Sequence, residues 1–209
     1  MSLLDFTRHI WHRVVKSGLI LVGSVLLQAC ASGPQAPSFN YDFGALPKEQ
    51  KPLPASLIIS VADVSAPSTL DGNAMLYRLQ YDNLQLLRPY AQHHWSMAPA
   101  QLLTQRLKSR IAAAGGTVVG AADGVADLPI LKIDLDEFSQ VFASTTQSEA
   151  QIIFRASVIR KNKLIAQRYF TSGTASDSAN ARGGARAMQL TTDTSISSML
   201  IWLQSLPLH

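Results

Sequence analysis

The stretch Ala150-Gln151-Ile152-Ile153-Phe154-Arg155-Ala156-Ser157-Val158-Ile159-Arg160, followed by Lys161-Asn162 and Lys163-Leu164-Ile165-Ala166-Gln167-Arg168-Tyr169-Phe170, decides the fold. Ala150, Ile152, Phe154, Ala156 and Val158 recur at every second position, the period of a strand with one buried face. Lys161-Asn162 turns the chain, and Leu164, Ala166, Arg168 and Phe170 run back along it. Just upstream, Leu131, Ile133 and Leu135 alternate with Lys132, Asp134 and Asp136, which predicts a third strand with a wet outer face. Downstream, Ser172 to Gly184 is polar and glycine-containing and reads as a mobile loop. A helix is expected over Ala185 to Gln204, with Met188, Ile196, Met199, Leu200 and Leu203 turned inward and Pro207 forbidding extension.

The first half supplies more strands and one helix. Tyr41 to Gly44 reads as a short edge strand, and Lys48 to Ala55, flanked and broken by prolines, as irregular connection. Leu57 to Val64 is β-rich and largely apolar, suiting a central strand buried on both faces. Asp71-Gly72 marks a turn, and Ala74 to Leu79 and Leu84 to Arg88 flank another at Tyr81-Asp82-Asn83. Pro99 suits the first turn of a helix from Ala98 to Ala114. Leu103, Leu107, Ile111 and Ala114 share one face of it, Gln101, Gln105 and Lys108 the other, and Gly115-Gly116 ends it. Thr117 to Val119 is a further short strand. The sum is a single α+β domain: a mixed, mostly antiparallel sheet with two main helices packed on it.

Ahead of this domain, Arg8, Arg13 and Lys16 precede an uncharged apolar run of 11 residues, Ser17 to Leu27. A basic start, a short apolar middle and small residues before a cut form a secretory signal. The run falls short of the ~20 residues a spanning helix needs. Leu27-Gln28-Ala29-Cys30 resembles a bacterial lipobox, whose cysteine is acylated and becomes the first residue after cleavage. Residues 1–29 would then be the signal peptide, 30–40 the acylated cysteine with a flexible tether, and 41–209 the domain. By the same resemblance three acyl chains hold the protein to its membrane, and Ala31 in place of aspartate favours the outer one. Since a single chain binds only marginally, stable anchoring takes more than one. Cys30 is the sole cysteine of 209 residues, so no intrachain disulfide exists.

Residues 1–29 carry three of the 18 basic and one of the 14 acidic residues, leaving the mature chain at a net charge of +2. Nucleic acid is not indicated, for there is no basic run and no basic motif interleaved with aromatics. His93-His94 is the obvious metal candidate, but adjacent side chains diverge on strand or helix and do not grip one ion, so no metal or other cofactor is expected. Asp134, Asp136 and Glu137 bring carboxylates together without a partner nucleophile, and a solvated strand face accounts for them. No Gly-x-Ser-x-Gly elbow occurs. Gly183-Gly184, between Arg182 and Arg186, reads as a loop-to-helix joint rather than a phosphate cradle. No catalytic residue is assigned.

Arg155, Arg160, Lys161, Lys163 and Arg168 gather on the long hairpin. They are candidate contacts for anionic headgroups or an acidic partner; equally, they are the charges that keep a strand edge from pairing with other chains. Trp95 joins them as a candidate contact, although Trp95, Trp202 and Tyr90 also read as core or interface packing.

Joint order carries more than any single piece. Ile59-Ser60-Val61-Ala62-Asp63-Val64-Ser65-Ala66-Pro67 leads into Leu70-Asp71-Gly72 and Met75-Leu76-Tyr77-Arg78. Leu84, Tyr90-Ala91, Trp95, Pro99 and Leu102-Leu103 follow. Leu131-Lys132-Ile133-Asp134-Leu135-Asp136-Glu137-Phe138, the basic hairpin and the last helix complete the series. From Tyr41 to Leu203 this resembles the PqiC-like, ABC-type transport auxiliary lipoprotein family. One departure is His94, where many relatives have arginine before the tryptophan. The resemblance implies a compact domain like the N-terminal domain of TolB, anchored on the periplasmic face of the outer membrane. It also implies a homo-oligomer that docks an MCE-domain protein of an intermembrane lipid transport system, without catalysis. Two other readings compete: a tethered envelope hydrolase, testable at His94, Asp136 and Glu137, and a structural or pilot lipoprotein for another outer-membrane assembly.

Overall fold

Ala150, Ile152, Phe154, Ala156 and Val158 are all fully buried in the computed structural model, which describes residues 36–48, 57–120 and 123–208. They lie on a strand of Ser148–Arg160 (β7), paired antiparallel with Lys163–Ala175 (β8). Lys161 and Asn162 both take positive φ, 49° and 58°, the two-residue turn whose twist matches the flanking strands. β7's other edge pairs antiparallel with Ile130–Phe142 (β6).

A bulge shapes β6. Leu135 faces Phe154 and Glu137 faces Ile153, so Asp136 is the extra residue. Its insertion swaps the parity of the strand. Leu131, Ile133 and Leu135 are buried before it, and Phe138 continues the apolar row after it. Strict alternation puts Asp134 and Asp136 on one face; the bulge takes Asp136 out of that register.

Beyond β6 the sheet forks. Ile58–Val61 (β2) pairs parallel with its start, through Ser60–Ile130 and Val61–Leu131, and Thr117–Gly120 (β5) pairs parallel with β2. Ala74–Leu79 (β3) pairs parallel with its end, through Tyr77–Gln140. Asn83–Trp95 (β4) lies antiparallel to β3, and Phe39–Tyr41 (β1) parallel to the last residues of β4. A single bridge, Ser65–Asp134, spans the gap between the branches. The sheet is thus eight-stranded and mixed, with its long ladders antiparallel.

Two helices cover it. Pro99–Ala113 (α1) starts on the proline and buries Leu103, Leu107 and Ile111 completely. Ala181–Gln204 (α2) is capped by Asn180, whose side-chain oxygen accepts from the Gly183 amide at 3.0 Å. α2 packs on β6, β7 and β8, and α1 on β5 and α2. All five inward residues expected on α2 are buried. Full burial of such a side chain contributes about 1.5–3 kcal/mol.

Several boundaries differ from the sequence reading. β2 spans four residues, and Ile58 at its start is exposed. β1 starts at Phe39, inside the stretch assigned to the tether, and ends at Tyr41. β4 runs on past Arg88, the expected end, through His93 and His94 to Trp95. β8 continues to Ala175 and α2 begins at Ala181, leaving only residues 176–180 of the expected loop. Apolar pattern locates the buried middle of an element; ladder bonds and caps extend it into polar sequence. Most of the proline-broken connection, Lys48 to Ala55, lies outside the described residues.

Candidate functional site: the basic hairpin and its free edge

Register divides the five basic residues of the hairpin. Arg155 pairs with Tyr169, and Arg168 with Ala156, so the two guanidinium groups leave opposite faces of the sheet. Arg155 donates twice to Asp134, at 3.2 and 2.8 Å, and Ser65 donates to the other oxygen of the same carboxylate. The Ser65 hydroxyl, with Arg155 after it, holds the Asp134 carboxyl below the usual range; the same carboxylate holds Arg155 above its own. Arg160 donates to the carbonyls of Asp127 (3.1 Å) and Leu208 (3.3 Å), tying the hairpin tip to neighbouring chain. Lys161 approaches the Asp127 carboxylate at 3.9 Å. Lys163 is exposed beside the turn, and Arg168 lies over the Phe170 ring, 5.4 Å from its centroid. The five do not form one patch. They make a charged tip, an open-face ion pair and a cation stacked on the opposite face.

Trp95 is not a surface contact. It is 2 % exposed, edge-on to Phe43 and Phe138 with ring centroids 6.0 and 5.3 Å away, and serves the core. The polar Gln92-His93-His94 before it gives no signal of this burial, which comes from the approach of Phe43 and Phe138. Tyr90 is half-buried and donates to the Gln140 side-chain oxygen at 3.0 Å; burial, then Tyr77, pushes its hydroxyl pKa up. The Gln140 amide in turn donates to Ser148 at 2.7 Å and to the Asn180 carbonyl at 3.3 Å.

The remaining candidates are engaged locally. His93 bonds the Tyr41 hydroxyl at 3.0 Å and stacks on Phe39, while His94 is registered between Asn40 and Ala74. Among the described residues no group of three or more His, Cys, Asp or Glu is placed to hold a metal ion. Glu137 is bound by Arg78 at 3.0 Å, and Asp136 is exposed on the bulge. Gly183 and Gly184 are spacers: a Cβ on Gly183 would overlap the Ser178 carbonyl, and one on Gly184 the Gln140 amide. Arg186 is held by both oxygens of Asp177, at 2.8 and 2.7 Å. Leu27, Gln28, Ala29 and Cys30 lie outside the described residues.

Sequence reasoning missed a buried ion cluster between the helices. Arg106 grips both oxygens of Asp193, at 2.8 and 2.6 Å, and donates to the Gly44 carbonyl at 3.0 Å. Arg110 reaches Asp193 at 3.1 Å and Ser197 at 2.7 Å. All three charged residues are at least nine-tenths buried. Two arginines one turn apart beside the apolar stripe were the available signal. Arg106 also lines an open depression with Asp42, Phe43, Leu46 and Met97, but its donors are spent on structure.

What the hairpin leaves free is its outer edge. Among the described residues no strand pairs with β8 on the side away from β7. Leu164 and Tyr169 on this strand are each 59 % exposed and Ile165 is 40 % exposed. The arrangement offers backbone donors and acceptors, apolar surface and positive charge along one line: the equipment of a binding edge rather than of a reaction centre.

The model of the family described as ABC-type transport auxiliary lipoprotein component matches residues 41–196. A crystal structure of a Xanthomonas campestris protein of the DUF330 family is similar to this chain at TM-score 0.63 and 18 % identity, covering 82 % of this chain and 88 % of that one. A crystal structure of an uncharacterized protein is similar at TM-score 0.63 and 14 % identity, covering 80 % and 99 %. At such identities the likeness is one of fold. No curated protein matches the chain.

Proposed function

The chain belongs to the family of ABC-type transport auxiliary lipoprotein components, and on that premise we propose that it is a non-enzymatic docking component of an MCE-type intermembrane lipid transport system. Acyl chains on Cys30 hold it to the periplasmic face of the outer membrane. Its domain, acting as a homo-oligomer, receives the transporter's MCE-domain protein there. The observation that carries this reading is the family match across residues 41–196, which takes in nearly the whole sheet and most of α2.

The geometry supports it in two ways. Two of the three candidate carboxylates are engaged in ion pairs, Asp134 with Arg155 and Glu137 with Arg78, and the third, Asp136, stands exposed on the bulge away from a nucleophile. And β8 presents an edge suited to protein association. Among the described residues no helix is long and apolar enough to cross a membrane; the proposed anchor is the lipid on Cys30. Two or more acyl chains suffice for stable attachment, at about 0.8 kcal/mol per buried methylene.

Replacing Cys30→Ala tests the anchor and the function together. A chain exported but unacylated is expected to leave the outer-membrane fraction and fail to complement loss of the wild-type protein in transport. Full complementation by the soluble variant would overturn the reading.

A further inference from the structure

β8 is 13 residues long and closes one side of the sheet; among the described residues its outer edge has no partner. Such an edge is a template for another strand, and proteins normally blunt it with charge, proline or a short length. Here the blunting is partial. Lys163 and Arg168 are the only charged side chains in the strand, while Leu164, Ile165 and Tyr169 stand exposed. β8 holds no Asp or Glu, and Arg160 and Lys161 adjoin it at the turn. A second copy laid against this edge would bring only positive charge to positive charge, which is destabilising across strands. Charge of one sign therefore favours an acidic segment over a second copy, and protection alone does not account for the apolar residues between the cations.

We propose that the outer edge of β8 is a strand-addition site for an extended segment of a partner protein in which Asp or Glu alternates with apolar residues. Pairing of Tyr169 with Arg155 and of Phe170 with Phe154 fixes the faces. Leu164, paired with Ile159, lies on the open face with Gln167 and Tyr169; Ala166, Arg168 and Phe170 lie on the helix-covered one, and Ile165 is the extra residue at the register shift. Directly opposed side chains across a ladder lie about 4.5–5.5 Å apart at Cβ. A carboxylate opposite Arg168 thus meets a guanidinium already placed over Phe170, and an apolar residue opposite Leu164 or Tyr169 removes exposed surface from water. The backbone ladder supplies affinity and the alternation supplies selectivity. This deepens the docking function proposed above and rests on it for the partner being a protein.

The test pans displayed random dodecapeptides on the mature lipoprotein in detergent and measures anisotropy and amide exchange for the enriched peptides. Acidic–apolar alternation is expected, with protection confined to residues 163–171. Affinity should fall about tenfold or more in K163E/R168E, and less in K163Q/R168Q, which guards against a folding defect in the reversed pair. Enriched peptides without acids, protection elsewhere, or unchanged affinity in both variants would overturn the proposal. Sedimentation with phosphatidylglycerol vesicles that depends on Lys163 and Arg168, without peptide enrichment, would assign the edge to a lipid surface and overturn it too. So would crosslinks joining β8 to β8 of a second copy. Loss of MCE-protein association with peptide binding intact would instead sink the docking function and leave the edge site standing.

Discussion

Asp193 holds two arginines in an interior where a charge left alone is costly. Its carboxylate bridges α1 and α2, and through Arg106 it fixes the Gly44 carbonyl just after β1. Removing one partner from a buried ion cluster typically costs about 3–5 kcal/mol, because the remaining charge loses its compensation. Asp193→Ala is expected to lower stability by that order in urea unfolding of the mature domain, with the midpoint shifted and the slope kept. Asp134 is the exposed counterpart. Its carboxyl lies below the ordinary 3.8, held there by Ser65 and then Arg155, so its contribution is present above the unfolded value and is lost as pH falls through the folded one. Asp134→Asn should lower stability at pH 7 by a few tenths of a kcal/mol, the scale of an exposed pair, and the difference from the wild type should vanish as pH falls through the folded-state value. A third residue prediction is steric: Gly184→Ala drives a methyl into the Gln140 amide and should cost about 1–3 kcal/mol, read as a lowered thermal midpoint.

At the scale of elements, the β7–β8 hairpin was the most legible part of the chain. Its apolar residues keep a strict period of two for nine residues, from Ala150 to Val158, and a polar pair marks the reversal. The bulge at Asp136 was not legible, since an inserted residue looks like any other polar residue on a strand and only the partner's register exposes it. Nor was the fork of the sheet at β6, which depends on which short strands find which end of a long one. Arg106 and Arg110 were visible as a pair one turn apart beside the apolar stripe, but not their burial, which follows from the arrival of Asp193 across 87 positions of sequence. Of the candidate site, the charges were visible and their grouping was not, because facing is set by pairing. The turn itself is improvable. Lys161 at positive φ carries a side chain where asparagine or glycine is preferred, so Lys161→Asn with Asn162→Gly should stabilise the domain by about 0.5–1 kcal/mol in thermal unfolding.

On the scale of the whole molecule, a helix-covered sheet whose β8 edge is unpaired among the described residues follows, in sequence, the proposed acylated cysteine. The ion-paired Asp134 and Glu137 and an exposed edge together fit a part that holds another protein in place. The most direct measurement is light scattering of the purified mature lipoprotein mixed with the proposed MCE-domain partner under chromatography. The account predicts a stable complex that elutes ahead of either component at their summed mass. Separate elution of both proteins at micromolar concentration, with the lipoprotein correctly acylated and folded, would contradict it.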